Sequence, residues 1–193
     1  MSAPNAMKQP VFTGFSSPAA GFDQPFEMLA ACHERVQRSL GLLGRIVEHI
    51  DTHGHDAQSR SASADVQRYF DLAGPHHHED EERHVFPLLL ASDAVGAQVH
   101  EAVRRLQLEH DRMHADWQPL RQMLQRWQGD GPVPVTADER ARIAAFDALY
   151  AGHIALEESV VYPAAQRLLQ GDALAAAGEE MRARRQRPAG GKG

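Results

Sequence analysis

The chain of 193 residues is short of several things, and each shortage excludes a class of protein. It has a single cysteine, Cys32, so no disulfide framework can form and no cysteine-based zinc or iron–sulfur site can be built. One cysteine fits a reducing compartment, and the expectation is a cytoplasmic protein. No apolar run reaches the roughly 18 residues that a membrane span requires. The start of the chain has neither the basic region nor the apolar stretch of a signal peptide. The net charge of −6 argues against nucleic acid as a partner. The one locally basic stretch, Arg182, Arg184, Arg185 and Arg187 ahead of Pro188, reads as a solvated, frayed tail. Strand-like alternation is scarce throughout.

What remains is a globular composition, 42% apolar and 24% charged, with an excess of histidine at 12 copies. Residues 1–24, rich in proline, glycine, serine and alanine, read as an irregular arm. From Phe26 apolar residues recur every three or four positions through Leu29, Val36, Leu40, Leu43, Val47 and Ile50, the stripe of a core-facing helix, with His33 among them. The polar stretch from Thr52 to Ser63 reads as a loop, with Ser63 as N-cap of a second helix carrying Val66, Phe70, His77, Glu81, Val85 and Leu88. Gly74-Pro75 predicts a kink or short break within it. Asp93 is the expected cap of a third helix, which carries Val103, Leu106, His110, Met113, His114 and Trp117 and should kink at Pro119. Gly129 to Pro134 is a loop, and Thr136 with Glu139 forms a capping box for a fourth helix through Phe146, Tyr150, His153, Glu157 and Val160. Residues 171–193 read as a short alanine-rich helix and a flexible basic tail. The predicted fold is all-α, an antiparallel up-down four-helix bundle over residues 25–170.

Two segments of the chain are copies of each other. His77 to Pro87 and His153 to Pro163 both read H-x-x-x-E-E-x-x-V-[FY]-P, 76 residues apart, and His33 and His110 are 77 residues apart. The bundle is thus a helical hairpin used twice. His114 breaks the repeat, because Gln37 takes its place in the first half. Residues four apart on a helix lie about 40° apart around its axis and one turn apart along it. His77 with Glu81, His110 with His114, and His153 with Glu157 can therefore each aim two donors at one point, with His33 supplying the fourth wall. Five imidazoles and two carboxylates buried together carry a prohibitive desolvation cost unless positive ions neutralise them. An imidazole and carboxylate set suits iron, manganese or zinc, and seven groups are too many for one tetrahedral zinc.

These residues resemble the hemerythrin and HHE cation-binding family over about residues 26–170. The resemblance implies two iron ions bridged by an oxo or hydroxo group, with manganese or zinc as possible substitutes. It implies that His110, His114 and His153 hold one iron, that His33 and His77 hold the other, and that Glu81 and Glu157 bridge them. With Gln37 in place of a counterpart to His114, the His33–His77 iron would be left with an open position for dioxygen. The internal repeat favours Glu81 and Glu157 as the carboxylates, with Glu82 and Glu158 as alternatives; oxygen carriers of this family use the position of Glu158 in the fourth helix.

The expected function is a non-haem di-iron protein that binds dioxygen, or a related small molecule such as nitric oxide, for storage, delivery or sensing. The alternative is a di-iron enzyme (oxidase, peroxidase or nitric oxide reductase) or an iron donor in stress repair. Family repair proteins carry an N-terminal module with paired cysteines, which this arm lacks. No protein partner is indicated. His49, His53 and His55 read as solvated loop histidines, and His76, His78 and His84 as surface residues on other faces of the second helix. His100 has no place in the pattern, Cys32 reads as buried and inert, and Met113, Trp117 and Trp127 read as packing. Tyr150 and Leu156 are candidates to shape a dioxygen pocket.

Overall fold

The computed structural model describes residues 20–186, so nearly all of the expected N-terminal arm, and Arg187 onward, lie outside it. Among the described residues the chain is all-helical, and no helix is long and apolar enough to cross a membrane. Helix α1, Pro25–His53, opens on a proline whose fixed φ suits a first helical position. It buries Leu29, His33, Val36, Leu40, Leu43 and Ile50 along one stripe.

Helix α2, Ala57–Asp80, begins well before the Ser63 cap that its composition suggests. Asp56 accepts from the backbone N–H groups of Gln58 and Ser59, both at 2.9 Å, and the Asp56 N–H donates to the Ser59 hydroxyl at 3.0 Å. The polar run from Thr52 to Ser63 is therefore mostly helix rather than loop. Ser63 itself is buried, its hydroxyl donating to the Ser59 carbonyl at 2.7 Å. The helix also continues through Gly74-Pro75 without a break.

The irregularity falls a turn later. A π-helical turn, Glu81–Val85, leads into α3, Phe86–Leu90, with the Phe86 N–H bonded to the Glu81 carbonyl five residues back. The same event recurs in the second repeat. Helix α5, Ala137–Leu156, passes through a π turn, Glu157–Val161, into α6, Tyr162–Leu168, with the Tyr162 N–H on the Glu157 carbonyl. Each π turn is followed by the proline of the repeated motif, Pro87 or Pro163. A proline ring clashes with the carbonyl four residues back, and widening the turn relieves that clash.

Helix α4, Ala97–Trp127, is capped at Gly96 rather than Asp93 and carries Pro119 within it. The capping box before α5 forms: the Glu139 N–H donates to the Thr136 hydroxyl at 3.2 Å and the Thr136 N–H to the Glu139 carboxylate at 2.9 Å. Helix α1 packs on α2 and α5, and α4 packs on the same two, so the four long stretches close a ring around a core.

Helix α7, Gly171–Gln186, corrects the expectation of a solvated basic tail. Arg184 and Arg185 both reach the fully buried Asp80, at 2.8 and 2.5 Å, and Arg184 also pairs with Glu79 and Glu180. Arg184 and then His84 hold the Glu180 carboxyl down at about 2. A buried carboxylate is tolerated only when paired, and α7 supplies the partners. The helix approaches closely enough that a Cβ on Gly178 would lie 1.9 Å from the Phe22 carbonyl oxygen. Gly178→Ala should therefore lift α7 from its seat. The expected result is a loss of roughly 1–3 kcal/mol from overpacking, read as a lower denaturation midpoint with faster amide exchange confined to α7.

Candidate metal centre

Each long helix crosses one polar layer between two apolar clusters. One cluster contains Val36, Leu43, Phe70, Met113, Trp127 and Phe146; the other contains Leu29, Val85, Phe86, Leu106, Val161 and Tyr162. Between them lie His33 from α1, His77 from α2, His110 from α4 and His153 from α5, with Glu81 and Glu157 from the two π turns. All six are buried. The π turns thus begin at the two carboxylates, and the extra residue in each turn alters the direction of the following side chains.

The six side chains converge as two overlapping groups. Donor atoms of His33, His77, Glu81 and Glu157 lie within 4.8 Å of one another, as do those of Glu81, His110, His153 and Glu157. The Nε2 atoms of His33 and His77 stand 3.1 Å apart, and those of His110 and His153 stand 3.2 Å apart. Glu157 faces both pairs, with Oε2 at 3.0 Å from His33 and Oε1 at 2.9 Å from His153. Glu81 Oε2 lies 3.7 Å from His77 and 3.5 Å from His110. Both carboxylates are thus shared between the two pairs.

A second set of carboxylates holds the far side of the rings. His33 Nδ1 donates to Glu158 at 2.9 Å, His110 Nδ1 to Glu82 at 2.8 Å, and His153 Nδ1 to Glu109 at 3.0 Å. The two glutamates of each repeated E-E pair therefore face different ways. The first turns into the layer, and the second reaches across to a histidine of the other repeat. With the neutral ring's one proton held at Nδ1, the Nε2 lone pair points inward, the tautomer a metal ligand needs. His77 is the exception, for its Nδ1 is buried without a partner.

The donor set fits metal ions. Glu81 Oε2 and both Glu157 carboxylate oxygens are buried and meet no aligned hydrogen-bond donor, although His33 and His153 stand at hydrogen-bonding distance from Glu157. Inward lone pairs at this spacing repel one another and need positive charge among them. In a site of protein groups alone, protons supply part of it. Burial pulls the His33 imidazole down, but Glu157, Glu81 and Glu158 outweigh burial and push it up to about 9. Burial would raise the Glu157 carboxyl, but His153 and His33 hold it well below the usual range. His77, fully enclosed, is pushed down to about 3 by burial.

Of the seven residues expected from the sequence, these six come together and His114 does not. His114 is exposed, because the inward stripe of α4 runs from His110 to Met113 and on to Trp117. His78, expected at the surface, is half-buried and joins His110 and His153 in a third group within 4.8 Å. Its ring stacks on His110, with centroids 3.9 Å apart at 13°. Tyr162 was not expected in the site either. Its hydroxyl donates to Glu81 Oε1 at 2.5 Å and lies 3.2 Å from His33 Nε2. Phe86 holds the matching place in the first repeat and stacks on His110. The alternation of Phe and Tyr in the motif was the signal for Tyr162.

The other histidines lie apart from the layer. His84 pairs with Glu180 at 2.7 Å, His100 meets the Leu89 carbonyl at 3.0 Å, and His49 faces Asp56 at 3.1 Å. If the outer carboxylates orient the ligands, Glu82→Ala and Glu158→Ala should each weaken metal binding by about 10- to 100-fold. Competition with a chromophoric chelator measures the change; unchanged affinity in both variants would contradict the role.

The comparisons agree with this geometry. A family model described as the hemerythrin HHE cation-binding domain matches residues 24–165, which contain every histidine and glutamate of the layer. An uncharacterized protein of Haemophilus influenzae is 30% identical over 167 residues, covering 86% of this chain and 93% of its own length. The chain belongs to the hemerythrin HHE cation-binding family.

Proposed function

We propose that the protein holds two non-haem iron ions and binds dioxygen, or a related diatomic such as nitric oxide, for storage, delivery or sensing. The observation that carries this reading is the overlap of two four-donor groups through shared Glu81 and Glu157. In it, His33 and His77 would hold one ion and His110 and His153 the other, with Glu81 and Glu157 shared between them and His78 in place of His114 as the fifth histidine. Imidazole and carboxylate donors without thiolate suit iron, and the same set admits manganese or zinc. A bound iron pair supplies redox-active centres to which a diatomic molecule can coordinate. The four long stretches are read as the antiparallel up-down bundle of this family, and the single cysteine supports a cytoplasmic setting.

The chain's own groups serve that role in three ways. The apolar clusters on both sides of the layer keep bulk water away from it. Glu158, Glu82 and Glu109 hold three rings in the ligating tautomer. The Tyr162 hydroxyl fixes one oxygen of Glu81 and leaves the other facing His77 and His110. Elemental analysis should find two irons per chain. An absorption band should appear when the reduced protein meets dioxygen and disappear under vacuum; rapid irreversible oxidation would count against reversible binding.

A second reading, turnover of hydrogen peroxide or nitric oxide, has Tyr162 in its favour. A phenol at 2.5 Å from the Glu81 carboxylate is a proton donor inside a buried layer. Burial and the neighbouring Glu81 hold it protonated, well above its ordinary value. Under this reading Tyr162→Phe should lower turnover by about 10²-fold or more, the usual worth of a positioned proton donor, with iron content unchanged. Under simple dioxygen binding the same variant should leave the band and its reversal in place.

A further inference from the structure

Helix α7 stands outside the repeated hairpins, and charge holds its seat more than apolar burial does. Of its 16 residues only Ala177, Gly178 and Met181 are buried. Two of these have little or no side chain, so burial alone contributes modestly to docking. Against this stand Arg184 and Arg185, whose guanidiniums take both oxygens of Asp80. Asp80 has no exposed surface. A buried charge that loses its partner is strongly destabilising, so α7 is seated firmly only while Asp80 faces it.

The backbone at the edge of the metal layer is what aims Asp80. Asp80 is the last residue of α2, and Glu81 is the first of the π turn. Neighbouring side chains on a helix diverge by about 100°. One backbone orientation therefore sends Glu81 into the layer and Asp80 toward α7. Glu81 has a reason to move when positive charge is missing. Its Oε2 is buried without a hydrogen bond, and both oxygens of Glu157 are in the same condition within the same donor groups. Two carboxylates so placed repel each other, and cations between them hold both inward.

We propose that α7 is a latch that responds to metal occupancy. With both ions in place Glu81 points into the layer, Asp80 faces Arg184 and Arg185, and α7 is seated. Loss of the ions lets Glu81 withdraw from Glu157 and turns Asp80 away from the guanidiniums. Helix α7 then lifts from Phe22 and Pro25, against which Gly178 packs. The released helix is an output built into the chain, which deepens the sensing role proposed above and rests on its two-ion reading. Coupling of this kind is reciprocal, so a loosened α7 in turn weakens metal binding.

The test uses the full chain, loaded anaerobically with ferrous iron or stripped of it by a chelator, with iron content measured first. Amide hydrogen exchange is read separately for α7 and for residues 120–127, the far end of α4. Stripping the iron should speed exchange in α7 about tenfold and change residues 120–127 by less than about twofold. Arg184→Gln combined with Arg185→Gln should exchange rapidly in α7 even with iron present, and should bind ferrous iron about tenfold more weakly. Cys32, the chain's one cysteine, is buried in the same apolar cluster as Met181 of α7. It should react faster with N-ethylmaleimide in the iron-loaded double variant than in the iron-loaded unaltered chain. Asp80→Asn removes the buried charge instead of stranding it, and should show the same faster exchange and weaker iron binding where the double variant fails to fold.

Equal exchange in α7 with and without two irons overturns the latch and leaves the two-ion reading standing. Iron affinity within about twofold of the unaltered chain, in variants whose α7 exchanges rapidly, also overturns it. So does a rise in exchange spread evenly over α4 and α7, because iron would then be holding the whole bundle. Fewer than two irons in the unaltered chain removes the two-ion reading, and the latch with it.

Discussion

A layer of buried acceptors without aligned donors is the constraint on which the rest of the structure depends. An ionised carboxylate inside a protein has an effective desolvation penalty of several kcal/mol. Two of them, faced by imidazole lone pairs, weigh heavily against a folding stability of about 5–15 kcal/mol. The layer is compatible with the fold only when positive charge sits within it. Protons supply some, as the raised His33 and His110 indicate. Metal ions supply more charge at one point and bind the lone pairs directly. The surrounding architecture serves this layer. Each long helix crosses it once, two π turns deliver the carboxylates, and an apolar cluster lies on each side.

The duplicated hairpin explains how two halves of one chain are fastened across that layer. Glu158 of the second repeat holds His33 of the first, and Glu82 of the first holds His110 of the second. Each repeat therefore orients a histidine of the other. The symmetry is broken at three positions around the layer. Tyr162 faces Phe86 across the pseudo-symmetry, Glu109 has Cys32 at its equivalent, and His78 has Ile154. The first difference adds a hydroxyl near His33. The second leaves His77 Nδ1 without the carboxylate that His153 enjoys. The third adds an imidazole near His110, where its counterpart Ile154 contributes only bulk. The chemical inequality of the two sides thus comes from three positions, and His114 against Gln37 is not one of them.

Periodicity made most of this legible. The stripe on each helix and the H-x-x-x-E spacing placed His33, His77, Glu81, His110, His153 and Glu157 on inward faces, and the structure brings those six together. His114 was misplaced because steps of three and four both fit a period of 3.6, and Met113 is the residue that turns inward. His78 was passed over because its position, about 100° around α2 from His77, reads as another face. In a bundle where α2 touches both α1 and α4, that face is not solvent. The π turns had a signal in the repeated proline, but only the backbone shows that the widened turn starts at the glutamate. The capping of α2 by Asp56 and the engagement of Arg184 and Arg185 were hidden for another reason. Polar and basic runs look alike whether they face water or a buried carboxylate elsewhere in the chain.

That buried carboxylate ties the end of the chain to the metal layer. Asp80 immediately precedes Glu81, and its two oxygens are taken by Arg184 and Arg185 of α7. Without them a charged group with no exposed surface would be unpaired, at the scale of several kcal/mol. The backbone there passes from α helix to π turn, a rare conformation that persists only when its surroundings determine it. Tyr162 fixes Glu81 from one side, and the α7 guanidiniums fix Asp80 from the other. The direction of one carboxylate shared by the two histidine pairs is thus set jointly by the second repeat and by a helix outside both repeats. Helix α7 is therefore a structural part of the centre, although it contributes no ligand to it.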